Sequence, residues 1–400
     1  MTYINTVKYL LSLANDEDAF SDSSALERMR LACENLGISL QNFKCVHICG
    51  DEGKESCSRM LTSILENASY KVGLYSLPSS DDFRSCLFSD KKSISHSDFA
   101  EIITYIYKLY RAKFKNVVPH RREIMTLAAI IYFQKQGCDI AIFEKGYSRN
   151  DPANITDAPV LSLITPFTDR NADKNLFENV ILKGTTETVS SPQHKEIYNA
   201  ISGACSLVGC RLTIPIYSEM EIEKISLFKT FFKYKRTDYS VRSFSPVQTL
   251  NAITVIEAVN ALLRVGADIN CESIVKGIEN ALLGENCETI SLSPTIILFT
   301  CEKDKLSSFL ASIAQVKDQL CPNIIVYTDE SLGINASELS MALSVRGIIA
   351  QSIRSLHDIS ALHGIISELK AQYEFDFTAI FIGNRDFTSS IKNCISDCLN

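Results

Sequence analysis

A short apolar run that ends in a glycine turn and opens directly into a helix constrains this chain most. Lys44-Cys45-Val46-His47-Ile48-Cys49 reads as a buried strand, and Gly50-Asp51-Glu52-Gly53-Lys54-Glu55-Ser56 follows it without a break. Arg59 to Glu66 then places Met60, Leu61, Ile64 and Leu65 on one helical face, and Lys71 to Tyr75 reads as the next strand. Strand, turn, helix, strand is a βαβ unit. Parallel strands need such a crossover, and the sheet they build must be covered on both faces.

The alternation runs on. Residues 1 to 43 read as helical, with Leu36-Gly37 as a stop. Helices are expected over Phe99 to Phe114 and Glu123 to Gln136, and strands over Cys138 to Phe143 and Pro159 to Thr165. The signal weakens from Asp169 to Lys224, where Val180 to Lys183 and Arg211 to Tyr217 read as strands. Phe231 to Phe244 reads as β, and Ser245 to Arg264 and Ile274 to Leu282 as helices. A polar stretch from Gly284 to Pro294 marks a boundary, giving domains 1–288 and 289–400. Beyond it, strands at Thr295 to Thr300, Asn323 to Thr328, Gly347 to Ile353 and Phe377 to Gly383 alternate with helices. That pattern implies a small open parallel sheet.

Composition narrows the functions. Lysine and arginine number 40 against 47 acidic residues, so the net charge of −7 gives no support to binding nucleic acid or an anionic membrane. No apolar run approaches the ~18 residues that would suggest a membrane span. The N-terminus lacks the basic flank and apolar stretch of a secretory signal, so a cytoplasmic protein is expected. The 14 cysteines contain no Cys-x-x-Cys; the closest spacings are Cys45/Cys49, Cys205/Cys210 and Cys394/Cys398. The six histidines stand at no metal-ligand spacing from a cysteine pair, which argues against zinc. His357 and His363 read as solvated, and the basic run Lys233-Tyr234-Lys235-Arg236 as a solvated β-edge.

A turn between a strand and a helix N-terminus aims backbone N–H groups at one spot, where the helix dipole favours an anion. Gly50, Gly53, Lys54 and Ser56 add the glycines, the ammonium and the hydroxyl that phosphates and Mg²⁺ require. The eight-residue P-loop spacing is not met, because Ile48 stands where its first glycine belongs. The alternative is a plain βα turn whose glycines serve only the backbone. Asp51, Glu52 and Glu55 weigh on that side. Two like charges at ~4 Å repel by about 1 kcal/mol in water and about 4 at an effective dielectric of ~20.

Leu26-Glu27-Arg28-Met29-Arg30, Val46 to Ser56 and Tyr70-Lys71-Val72-Gly73-Leu74-Tyr75-Ser76 together resemble the folylpolyglutamate synthase/dihydrofolate synthase family of the Mur-ligase superfamily. The resemblance is good over residues 20–155, patchy to 265 and mostly architectural beyond. It implies an α/β fold, with a Mur-ligase-like P-loop ATPase domain around a parallel central sheet and a smaller Rossmann-like C-terminal domain. It also implies a monomeric ligase that uses ATP and Mg²⁺ to convert a folate-like carboxylate to an acyl phosphate, which the amine of L-glutamate then attacks. On the family pattern Lys54 and Glu123 are catalytic. Gly50, Gly53, Lys54, Ser56, Gln248 and Asn251 bind nucleotide, and Ser56 and Glu123 bind the metal. Read alone, Glu123 is a first-turn carboxylate and Gln248 and Asn251 belong to a polar helix start capped by Ser245. The loop Glu144-Lys145-Gly146, with Arg149, Asp151 and Asn154, resembles the family's loop after the next strand, one residue shorter and without its glycines.

The departures define a second reading. Small neutral residues in the family stand where this chain has Asp51, Glu52 and Glu55. The histidine of a Ser-Pro-His-Leu segment is missing from Ser76-Leu77-Pro78-Ser79-Ser80. Ile164-Thr165-Pro166-Phe167-Thr168 replaces the Asp-His pair, and the carbamylated lysine has no clear counterpart, although Lys183 is nearby. Val247 precedes Gln248 in place of histidine, and Phe299 to Asp304 replaces Asp-Gly-Ala-His-Asn-Pro. A ligase-fold pseudoenzyme that binds a ligand or partner is therefore the alternative expectation.

Overall fold

The computed structural model describes residues 1–14, 24–40, 44–77, 82–114, 117–156, 158–168, 174–283, 287–301, 306–357 and 359–399. It divides into two compact units, Met1–Tyr217 with Asn251–Leu282, and Ser218–Leu250 with Leu283–Asn400. Residues 218–250 thus group with the C-terminal unit, whereas the division at 288/289 keeps them in the first domain.

In the first unit, α1 (Tyr3–Ser12) and α2 (Ala25–Asn35) precede β1 (Lys44–Cys49), α3 (Lys54–Asn67) and β2 (Val72–Tyr75). A hairpin of β3 (Leu87–Ser89) and β4 (Lys92–Ser93) follows, then α4 (His96–Lys113), α5 (Arg121–Gln136) and β5 (Ile140–Glu144). Next come β6 (Leu161–Ile164), α6 (Lys174–Val180), β7 (Glu187–Ser190), α7 (Lys195–Val208) and β8 (Arg211–Thr213). The sheet order is β4-β3-β2-β5-β1-β6-β7-β8, parallel from β2 to β8, with the β3–β4 hairpin antiparallel at one edge. All but the first residue of β1 are buried, as a central parallel strand demands. Met125, Leu127, Ile130 and Phe133 of α5 join Ile102, Ile103 and Ile106 of α4 in one core cluster, with Tyr75 and Phe143 of the sheet. Residues of α6 and α7 form another with Cys49 and Ile164.

Chain order across the sheet places a reversal between β1 and β6. The chain leaves β1 towards β2 on one side and leaves β6 towards β7 on the other. In open α/β sheets, ligands bind at the carboxyl ends of strands beside such a reversal. The loops beginning at Gly50 and Thr165 flank it.

The second unit holds a three-stranded antiparallel sheet, β9 (Met220–Ile225), β10 (Thr230–Tyr234) and β11 (Thr237–Val241). Helix α8 (Pro246–Arg264) begins among its residues and belongs to the first unit from Asn251, as does α9 (Cys271–Asn280). The remaining elements are β12 (Glu288–Leu292), β13 (Thr295–Thr300), α10 (Leu306–Gln315), β14 (Asn323–Asp329), α11 (Ala336–Ser344), β15 (Ala350–Leu356), α12 (Leu362–Tyr373), β16 (Phe377–Gly383) and α13 (Arg385–Leu399). They form a sheet ordered β12-β13-β16-β14-β15, parallel except for β12. Strand alternation sorts its two cores. Ile297 and Phe299 pack with residues of α10 and α11, and Ile296 and Leu298 with residues of α12 and α13.

Two sequence expectations are corrected. Val180 to Lys183 is not a strand: α6 ends at Val180, and the strand lies later, at Glu187–Ser190. The polar boundary stretch holds β12, while residues 284–286 lie outside the described residues.

Candidate functional site

The sequence from Gly50 to Ser56 forms the turn it predicts. Gly50 has φ +139°, and a Cβ there would stand 2.1 Å from Thr165 Oγ1 and 2.7 Å from its carbonyl oxygen. Gly53, at φ +82°, is the N-cap of α3, and a Cβ would meet Asn251 Oδ1 at 2.7 Å. Gly53 has no side chain with which to cap this helix start. Lys54 opens α3 and folds back, its ammonium donating to the carbonyl oxygens of Gly50 and of Asp51, the latter at 3.2 Å. Ser56, in the same first turn, is buried. The structure thus brings Gly50, Gly53, Lys54, Ser56 and Asn251 together. Gln248 is buried in α8 but falls in the second compact unit.

Asp51 and Glu55, two of the turn's three acidic residues, have partners. One Asp51 oxygen accepts the Tyr147 hydroxyl. The other accepts the Thr168 amide at 2.7 Å and its hydroxyl at 2.8 Å. Burial raises the Asp51 pKa, but these hydrogen bonds and Lys54 outweigh it and hold the carboxyl below its ordinary value. Glu55 pairs with Arg59 at 3.1 Å, and Glu52 points to solvent. The negative charge flagged by the sequence therefore does not fill the turn. The backbone is more restricted: the amides of Asp51 and Glu52 both reach the Pro166 carbonyl, at 3.0 and 3.4 Å. Together with the Asp51–Thr168 bonds, they tie the loop after β1 to the loop after β6.

Glu123 stands apart from the role the resemblance gave it. It is fully buried, and its oxygens take Arg28 Nη2 at 2.9 Å, Arg28 Nε at 3.3 Å and the Tyr110 hydroxyl at 2.6 Å. A bidentate guanidinium and a phenol take about three of the carboxylate's four lone-pair sites, and its full burial keeps a hydrated metal away.

A different glutamate stands beside the turn. Glu144 ends β5 in register with Ile48 of β1, accepts Ser58 Oγ at 2.5 Å and accepts the Leu77 amide at 3.3 Å. Burial raises its pKa; the bonds from Ser58 and Leu77 oppose the shift, and the charges of Glu55 and Lys54 both reach it. Sequence analysis noted Glu144 only as the start of a loop. The available signal was its position after a buried strand destined to pair with β1. Beyond it, Arg122 and Asp151 form a buried ion pair at 2.8 Å, and Asp151 accepts the Gly146 amide at 2.7 Å. Buried Lys145 donates to Asn154 and, at 3.0 Å, to the Asn179 carbonyl. This network fixes the loop from which Tyr147 reaches Asp51.

The residues present fit a phosphate. A helix start with a glycine N-cap and an adjacent ammonium attract an anion, and the acidic side chains are paired elsewhere or face solvent. For Mg²⁺, no cluster of three or more histidine, cysteine or acidic groups occurs among the described residues. Mg²⁺ needs less, because it keeps several waters and takes one or two carboxylates together with substrate phosphates. Glu144 suits that role and Glu123 does not. No described helix is long and apolar enough to cross a membrane.

No family model matches the chain. It is 24% identical over 317 residues to a probable bifunctional folylpolyglutamate synthase/dihydropteroate synthase of Haloferax volcanii, covering 74% of this chain and 37% of that protein. It is 25% identical over 292 residues to a dihydrofolate synthase/folylpolyglutamate synthase of Buchnera aphidicola, covering 69% and 66%. The chain spans between 22% and 37% of the length of the first three curated relatives it matches. Among solved structures, folylpolyglutamate synthetase from Lactobacillus casei superposes with a TM-score of 0.79 at 16% identity, covering 99% of this chain and 100% of that one. The Thermotoga maritima folylpolyglutamate synthase gives 0.76 at 19% identity, covering 98% and 96%. The chain is therefore similar in sequence to folylpolyglutamate synthases and shares the α/β fold of the solved ones.

Proposed function

We propose that this chain is an ATP-dependent ligase that joins L-glutamate to the carboxylate of a folate-like acid. The placement of Lys54 carries the reading: its ammonium lies on the carbonyls of the glycine turn, at the Gly53-capped start of α3, beside the sheet's reversal point. Bound MgATP supplies the phosphoryl group that activates the acid. Lys54 and the first amides of α3 hold the phosphates, Glu144 holds the metal with Ser56 near it, and Asn251 packs against Gly53 to fix the turn. Residues 1–288 act as the nucleotide-binding domain and 289–400 as the ligase domain, in a cytoplasmic monomer. The thirteen cysteines found as free thiols suit a reducing compartment. The test is ADP release from MgATP in the presence of L-glutamate and reduced folates. Glutamate- and folate-dependent release that Lys54→Ala abolishes supports the ligase.

The pseudoenzyme reading has its own support. The Asp51 and Glu52 amides, which a phosphate would use, are held by Pro166. MgATP binding without ADP release under any pairing of folate and amino acid would favour it.

A further inference from the structure

Cys205 and Cys210 stand at the two ends of a helix-terminating turn. Gly209 takes a left-handed conformation at φ +78°, and the amides of Gly209 and Cys210 close onto the Cys205 carbonyl at 2.8 and 3.1 Å. This closure brings the residues flanking the turn side by side, where two apolar side chains ordinarily touch. Here both are thiols. Cys205 is buried against α6 and α7 residues; Cys210 is half-buried, with exposed Gly209 and Arg211 on either side, and its sulfur lies 3.3 Å from Thr188 Oγ1.

We propose that Cys205 and Cys210 are a reversible oxidation site that forms an intramolecular disulfide under peroxide. The Cys210 thiolate attacks one peroxide oxygen, giving a sulfenic acid and, after protonation, water. The Cys205 sulfur then attacks the Cys210 sulfur, the S–S bond forms, and the sulfenic oxygen leaves as a second water. The two thiols lose two electrons and two protons, and the peroxide gains them. Accessibility picks Cys210 as the attacking sulfur and buried Cys205 as the resolving one. The neighbouring Cys205 thiol lowers the Cys210 pKa, helped by Thr188 and the Cys210 amide against burial and the charge of Glu187. Glu187 is itself paired with Arg264 at 2.7 Å. The disulfide would fasten the end of α7 to the start of edge strand β8. In a reducing compartment such bonds are transient and sense oxidants.

Trypsin releases both thiols, and no other cysteine, on the single peptide Glu196–Arg211. The whole protein is treated with hydrogen peroxide, alkylated, digested and weighed by mass spectrometry. The expected result is that this peptide loses both alkyl labels and two hydrogens, and regains both labels after dithiothreitol. Two retained labels at a peroxide dose that oxidises exposed Cys271 would overturn the proposal. The pH profile of Cys210 alkylation is the second readout. It should lie below the free-thiol value of ~8.5 in the wild type and move towards that value in Cys205→Ala. An unmoved midpoint would mean that the two thiols only pack.

Discussion

Glu123 and Glu144 are both buried glutamates in the first unit, and their partners separate their roles. Removing the Glu123 charge leaves Arg28 buried without its counter-ion, a change that costs about 3–5 kcal/mol. Glu123→Gln should therefore lower the urea midpoint sharply, while the nucleotide affinity of the folded fraction stays unchanged. A metal ligand would show the reverse, with stability held and Mg²⁺-dependent affinity lost. Glu144→Gln should produce that second pattern. The two carboxyls beside the turn also predict opposite pH slopes. The Glu144 pKa is raised, so its contribution is complete below the unfolded value of ~4.3 and is lost as pH rises through the folded value. The Asp51 pKa is lowered, so its contribution is complete above ~3.9 and is lost as pH falls through the folded value. Denaturant unfolding across pH should show the Glu144 slope disappear in Glu144→Gln and the acid limb flatten in Asp51→Asn. At this scale the sequence revealed Gly50, Gly53 and Lys54, because strand, turn and helix are adjacent in the chain. It concealed the pairings Glu123–Arg28 and Asp51–Tyr147, which join residues 95 and 96 positions apart.

Among elements, the α3–α9 contact sets two magnitudes against each other. A Cβ on Gly277 would lie 2.4 Å from Ile64 Cα, closer than packed side chains approach. Alanine gains about 1 kcal/mol over glycine in a helix interior, while overpacking a tight contact costs about 1–3 kcal/mol. The clash here is with backbone, which cannot rotate away, so Gly277→Ala should lower Tm, as a thermal melt would show. Gly50→Ala should lower Tm as well, and should also abolish nucleotide binding. Its Cβ falls on Thr165, and its φ of +139° suits only glycine. Elements with continuous apolar runs between turn signals, or with steady helical spacing, were legible; the almost wholly buried β1, β5, β14 and β16 are of the first kind. Strand β9 was not. Met220 and Ile222 alternate with Glu221 and Glu223 for only four residues before Lys224 and Ile225 break the period, and its four central residues are exposed. The error at Val180 to Lys183 has a similar cause: Val180 and Ile181 are apolar and fully buried, and a short apolar run does not distinguish a helix end from a strand.

At the scale of the molecule, the order β4-β3-β2-β5-β1-β6-β7-β8 places the turn after β1 at a point of reversal, where ligand loops converge. The parallel core of each unit follows from its helix–strand alternation, whereas the antiparallel edges β3–β4 and β12 come from short polar segments that carry little pattern. We assign the triphosphate to this turn, although the Asp51 and Glu52 amides are tied to Pro166. Calorimetric titration of MgATP into the wild type and Lys54→Ala tests that assignment. The expected result is saturable, Mg²⁺-dependent binding to the wild type, weakened about 10- to 100-fold in the variant, which is the loss of one charge-assisted contact worth about 1.5–3 kcal/mol. No binding by the wild type, or equal affinity in the two proteins, would contradict the assignment of the glycine turn as a nucleotide site.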